Sequence, residues 1–233
     1  MSFMEYLEFE RFMSAKRIQR YKDAANNDTR KAMALYRYNL RLSQEIFTIV
    51  SCFEVALRNA IDSILVPTLG ENWLKDSVQA NGVFSNGRMN ETRKIIEKAY
   101  SRLSRQGIYS HSKLIAEMEF GVWKYMYCSL QYRATGQCLL RAFPNKPRSS
   151  AAVQYNNTYI FNELDKVNSL RNRIAHHEPI CFRLHTSEID TSYIINEYQK
   201  IQTLFSWMGI DSRAMLYGLD HVQSVCTRIN SLK

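Results

Sequence analysis

Residues 33–65 read MALYRYNLRLSQEIFTIVSCFEVALRNAIDSIL, and the spacing of their apolar side chains decides the fold class. Leu35, Tyr38, Leu42, Ile46, Ile49, Phe53, Ala56, Ile61 and Leu65 recur every three to five positions. That period draws one stripe along an α-helix, whereas a half-buried strand would alternate at every second residue. Pro67 and Gly70 are expected to stop this helix. A second stripe, Ile160, Leu164, Val167, Leu170 (or Arg171) and Ile174, predicts another helix that Pro179 ends. Helical spacing also covers residues 4–23, through Met4, Leu7, Phe12, Ile18 and Tyr21, up to a turn at Asn26-Asn27-Asp28. Further helices are predicted over 90–106, 111–130, 135–143, 187–208 and 211–230. Asn81-Gly82 and Asn86-Gly87 mark a loop within 76–90, and residues 143–150 (FPNKPRSS) form a clear break. No alternating run is long enough to build a sheet. The expected architecture is all-α, a single compact bundle of about six to eight helices. It would be one domain over 1–233, with 1–32 as an N-terminal helical extension and 185–233 as helices packing on the core.

Composition excludes several alternatives. The chain has 233 residues, 45% of them apolar and 12% aromatic, which is too much for an intrinsically disordered protein. Eight Gly and four Pro are too few to turn the chain as often as an all-β sandwich requires. Lys and Arg number 31 against 22 Asp and Glu, a net charge of +9 that points weakly to an anionic partner, nucleic acid ahead of membrane. The first ten residues, MSFMEYLEFE, lack a basic head, so no secretory leader is expected. The most apolar window, Ile46 to Leu57, is interrupted by Ser51, Cys52 and Glu54 and is too short for a membrane span. Cys52, Cys128, Cys138, Cys181 and Cys226 are scattered and form no CxxC pair, so neither a zinc ribbon nor a disulfide framework is expected. They read as thiols of a cytoplasmic chain.

The densest polar cluster, SLRNRIAHHEP over residues 169–179, lies at the end of the second striped helix. Asn172 and His176 stand four apart and share a helix face. Arg171 is five before His176, and its long side chain can reach across the arc between them. Pro179 disfavours helix at Glu178, which places His176 and His177 in the last turn or just beyond it. Guanidinium, amide and imidazole at one helix end can bind a phosphodiester, stabilise added negative charge and move a proton. A plain helix end uses the same residue types, because His and Arg complement the helix dipole, and spacing alone favours that simpler role. A metal site at His176-His177-Glu178 is weaker still, since adjacent side chains diverge and no further ligand stands at the right spacing.

Three blocks together resemble a known family. Arg171-Asn172-x3-His176 resembles the R-N-x3-H form of the R-x4–6-H motif of HEPN-superfamily ribonucleases. Its surroundings, LRNRIAHHEPI, resemble the Abi-like (abortive infection) family of bacterial phage-defence proteins. SCFEVALRNAI (51–61) and EFGVWKYM (119–126) resemble two further blocks of that family, so the likeness runs over roughly 35–180. It implies an HEPN-like helical core and a metal-independent endoribonuclease without a cofactor, in which the RNA 2′-hydroxyl attacks the adjacent phosphate. By the same resemblance His176 would transfer the proton, Arg171 would contact the scissile phosphate, and Asn172 would orient His176 or the phosphate. Such proteins pair two motifs across a dimer. The echo Leu57-Arg58-Asn59-Ala60-Ile61 has Ser63 where a His is needed, so the second motif must come from another copy and a homodimer is expected.

Other residues stay open between two roles. Glu54 and Arg58 either form a local pair one turn apart or support the site, with Glu54 beside Arg171. His177 either supports His176 or is an exposed neighbour, while His111, His185 and His221 show no partner pattern. Between Glu119 and Glu163 there is no acid, yet Lys124, Arg133, Arg141, Lys146 and Arg148 occur among Trp123, Tyr125, Tyr127, Tyr132, Phe143, Tyr155 and Tyr159. Cations interleaved with rings suit single-stranded RNA, although Trp123 and Tyr127 also fit a core stripe. With Arg173 these five cations are the candidate RNA contacts, the exposed loop 144–150 foremost. Lys16, Arg17, Arg20 and Lys22 read as a solvated helix face. A toxic nuclease would also suit an inhibitory RNA or antitoxin as partner. The alternatives are a catalytically silent RNA-binding or regulatory protein of the same fold, and a helical interaction protein whose motif only ends a helix.

Overall fold

In the computed structural model, which describes residues 4–85 and 87–233, the stripe of residues 33–65 lies on a single helix of 41 residues, Thr29–Leu69. Met1–Phe3, at the head of the expected N-terminal extension, and Asn86 of the expected Asn-Gly turn lie outside the described residues. In chain order the helices are α1 (Tyr6–Met13), α2 (Ala15–Ala24), α3 (Thr29–Leu69), α4 (Trp73–Asp76), α5 (Asn90–Arg105), α6 (His111–Glu117), α7 (Phe120–Tyr125), α8 (Ser129–Ala134), α9 (Asn157–Ala175), α10 (Ser192–Trp207), α11 (Ser212–Met215) and α12 (Val222–Asn230). Among the described residues there is no strand, and one isolated antiparallel bridge joins Phe182 to Ile189. The fold is all-α. Eight of the twelve described helices have seven residues or more. No described helix is long and apolar enough to cross a membrane.

Leu35, Leu42, Ile46, Ile49, Phe53, Ile61 and Leu65 are fully buried along α3, as its period requires, together with Leu57. The helix runs through Pro67, where a stop was expected, and ends at Gly70 with φ +93°. Proline in the last turn removes one backbone donor only. There the Thr68 hydroxyl donates to the carbonyls of Ile64 and Leu65, and the Gly70 N–H reaches the Val66 carbonyl.

The expected helix over 4–23 is two helices, because Ser14 takes a left-handed φ of 68° between α1 and α2. Its hydroxyl then accepts from the Arg17 N–H and caps α2. The expected helix over 111–130 is three short ones. Met118, Glu119 and Cys128 are extended at the breaks. Phe120, Val122, Trp123, Met126 and Tyr127 are all buried, so this stretch has no polar face along which one amphipathic helix could lie. Over 135–143 the chain makes only a 3₁₀ turn, Leu139–Ala142, after left-handed Gly136 and Gln137.

The chain forms two compact units. The first takes the chain up to Val50, Leu170–Gln202 and Ser212–Lys233; the second takes Ser51–Ser169 and Thr203–Asp211. In the first, an edge-to-face chain of rings links Phe9, Tyr36, Tyr21 and Phe182 at centroid spacings of 5.1–5.4 Å, so α1 and α2 are built into its core. In the second, Phe53 packs against Phe120 and Phe205, the latter edge-on at 5.3 Å. Phe205→Ala should therefore cost about 3–5 kcal/mol of stability, read as a lower urea midpoint at unchanged slope.

Candidate functional site

Helix α9 carries the motif, and its own ends explain where the motif lies. Asn156 caps the start through its side-chain oxygen, which accepts the Tyr159 N–H at 3.0 Å. Ile160, Leu164, Val167, Leu170 and Ile174 are buried, so the stripe passes through Leu170 and leaves Arg171 half-buried beside it. At the other end the His177 N–H bonds the Ile174 carbonyl and the Glu178 N–H bonds the Arg173 carbonyl, both at 2.9 Å. This Schellman pattern requires a left-handed residue, and His177 supplies it at φ 56°. Glycine is the usual occupant because a Cβ is strained there.

The chain beyond the stop is fastened twice. Arg173 donates to the Glu178 carboxylate at 3.1 Å and the Pro179 carbonyl at 3.2 Å, and its guanidinium lies 5.1 Å from the centre of the Tyr193 ring. The Ile180 N–H donates to the buried Asn39 side chain of α3 at 2.8 Å. Arg173 is thereby committed to holding the helix end and is poorly placed as an RNA contact. Arg171 donates to the Asn172 side-chain oxygen at 3.4 Å. The Asn172 backbone carbonyl takes the His176 N–H at 2.9 Å, which leaves the His176 ring exposed.

His176, His177, Glu178 and Pro179 form one wall of a groove of about 430 Å³. Ser14, Lys16, Arg17, Arg20 and Tyr21 of the α2 region and Tyr36, Asn39 and Leu40 of α3 line the rest of it. Every lining residue belongs to the first unit. Lys16 and Arg17 are exposed, and neither has a carboxylate partner among the described residues. Of the basic run read as a solvated helix face, Lys16 and Arg17 are exposed as expected, and with Arg20, though not Lys22, they also line the groove that His176 lines. Four cations in ten residues of α2 against one acid, Asp23, were the signal that could have marked it. Burial pushes the Tyr21 hydroxyl far above its usual range and the Cys181 thiol up to about 12, so both stay neutral beside these cations.

The other candidate contacts lie in the second unit and differ among themselves. Lys124 is turned inward, 6% exposed, and its ammonium meets Asp165 at 2.7 Å and the rings of Tyr125 and Phe161. It belongs to the packing of that unit. Arg133, Arg141 and Arg148 are exposed and Lys146 is half-exposed. Loop 144–156 is tied by the Asn145 N–H to the Trp207 carbonyl, and Tyr155, Tyr159 and Trp207 pack at 4.8–6.0 Å from one another. Glu54 and Arg58 sit one turn apart on the part of α3 in this unit, with Arg58 Nε buried and unbonded. His111, which showed no partner in the sequence, bonds Asp62 at 2.8 Å, and Asp62 also accepts from Trp73 at 2.7 Å. Among the described residues no group of three His, Cys, Asp or Glu side chains is placed to hold a metal ion.

An all-α chain with an Arg-Asn-His helix end beside a basic groove is the class these features define. The chain belongs to the Abi-like protein family, whose model matches residues 1–181, from α1 to just beyond the motif helix. That membership connects it with abortive infection, the self-sacrificing defence of bacteria against phage. The comparisons with curated proteins and with solved structures found no match.

His177→Gly should raise stability by about 0.5–1 kcal/mol by relieving the left-handed strain, read as a thermal midpoint higher by about 1–4 °C. His177→Ala, which keeps the Cβ, should give no such gain.

Proposed function

We propose that this Abi-like chain is a metal-independent endoribonuclease of HEPN type, acting through Arg171, Asn172 and His176. The observation that carries the reading is the exposed His176 ring at a rigidly ended helix, opening on a groove walled by Lys16 and Arg17. Attack of an RNA 2′-hydroxyl on the neighbouring phosphate needs a group that takes one proton and a group that gives another. Imidazole exchanges protons near neutral pH and can serve in either role. A guanidinium binds the two non-bridging oxygens and stabilises the charge that grows on them. Asn172, bonded to Arg171, sets the direction of that guanidinium. One copy supplies one such motif, so the site is completed by a second copy in a homodimer, each giving one His176. Arg141, Lys146 and Arg148 of the second unit offer further charge for the RNA chain.

Purified protein incubated with mixed single-stranded RNA in EDTA should release fragments ending in a 2′,3′-cyclic phosphate. His176→Ala and Arg171→Ala should each lower the rate by about 10²–10⁴-fold. The rate per chain should also fall on dilution below the dimer's dissociation constant, with sedimentation velocity reporting the matching loss of dimer. Cleavage that persists in His176→Ala would overturn the site. Tight, salt-sensitive binding without cleavage would make the chain an RNA-binding module instead.

A further inference from the structure

The groove holds more than a nuclease histidine needs. Its volume of about 430 Å³ is that of a small-ligand site. Most of its polar groups are already committed. Arg20 donates to the backbone carbonyls of Thr186 at 2.6 Å and Arg183 at 2.9 Å and lies against the Phe182 ring. Asn39 accepts from Ile180, the Tyr36 hydroxyl meets the Met13 sulfur, and the one acid, Glu178, is neutralised by Arg173. What remains is two exposed cations, Lys16 and Arg17, the exposed rings of His176 and His177, and the apolar Leu40, 42% exposed, with Pro179 half-buried. Two cations, an apolar side chain and an imidazole lining one groove match the parts of one nucleotide: phosphate, base and the atoms next to the reacting bond.

We propose that this groove seats one nucleotide of a single-stranded RNA, with Lys16 and Arg17 holding its phosphate and Leu40 covering its base. The proposal rests on His176 being the reacting end, and it assigns α2 a role in substrate binding that the motif alone does not contain. A single strand is required because a base in a duplex is stacked and cannot turn onto Leu40. Lys16 and Arg17 act on binding, while His176 acts on the chemical step.

The test measures binding of a fluorescein-labelled single-stranded RNA decamer by anisotropy, on the His176→Ala chain so that the RNA survives, across a range of NaCl concentrations. Adding Lys16→Gln with Arg17→Gln should weaken binding about tenfold or more at low salt. It should also flatten the log–log salt slope by about 0.7, the share of the one phosphate that the two cations hold. Arg105→Gln with Lys113→Gln removes the same charge from exposed positions of α5 and α6 and should leave the slope unchanged. Leu40→Glu should weaken single-stranded RNA while leaving the circular dichroism spectrum intact. Equal losses from both cation pairs, no loss from Lys16 and Arg17, or no binding of RNA at all would overturn the proposal. Cleavage by the unsubstituted chain separates the two readings. If it is present and depends on His176 while the Lys16/Arg17 variant binds normally, the groove assignment alone fails. If it is absent while the salt slope still follows Lys16 and Arg17, the nuclease reading fails and the groove stands as an RNA site.

Discussion

One hydrogen bond fixes where the motif helix leads. The side chain of Asn39, 3% exposed on α3, accepts the N–H of Ile180 at 2.8 Å. A buried N–H without an acceptor costs about 1–3 kcal/mol, so the chain leaving α9 is held to this path. Pro179 and Glu178 are thereby laid along α3, and Arg173 grips them from the motif side through Glu178 and the Pro179 carbonyl. The wall that His176 lends to the groove follows from these two attachments. Without them the helix end would fray, as helix ends do, and an imidazole on a fraying turn has no defined place.

The parts of the fold visible in the sequence were those with a strict period. Leu35 to Leu65 and Ile160 to Ile174 each place an apolar residue on one face at every turn, and both helices are present, with their buried faces where that period puts them. The period was uninformative where the buried face is too broad to draw a stripe. From Phe120 to Tyr127 all but Gly121 and the exposed Tyr125 are buried, and the chain breaks at Met118, Glu119 and Cys128 into short helices that local spacing does not foretell. Ser14 misleads in a different way. A serine at a left-handed φ is uncommon, and here it is held by its bond to the Arg17 N–H. The motif residues were legible because α9 ends close behind them. The groove was not, because Lys16 and Arg17 meet His176 only through the packing of Tyr21 against Tyr36 and Phe182.

Charge shows the same division between what composition states and what packing decides. A net +9 says that cations are in excess, not where they are free. Lys124, inside the acid-free stretch, is buried against Asp165, although Asp165 lies just past the end of that stretch. Arg173, inside the motif, holds its own helix end. Lys16 and Arg17, from a run that looked like ordinary helix surface, keep their charge exposed beside the imidazole. A cation's neighbours in space, rather than its neighbours in the chain, decide whether it can meet a phosphate.

The bond between Asn39 and Ile180 also sets an order of events during synthesis. Its partners are 141 residues apart, and every residue between them must be made before it can close. Closing a loop of that length costs on the order of 4 kcal/mol in chain entropy, little more than a loop half as long. Timing, not energy, is therefore the constraint. The rings of Phe9, Tyr21 and Tyr36 can gather as soon as α1 to α3 leave the ribosome, but His176 follows Tyr36 by 140 residues and Phe182 follows it by 146. A truncated or stalled chain thus has the basic half of the groove without its imidazole. Both halves are present only once the chain has been made through Ile180.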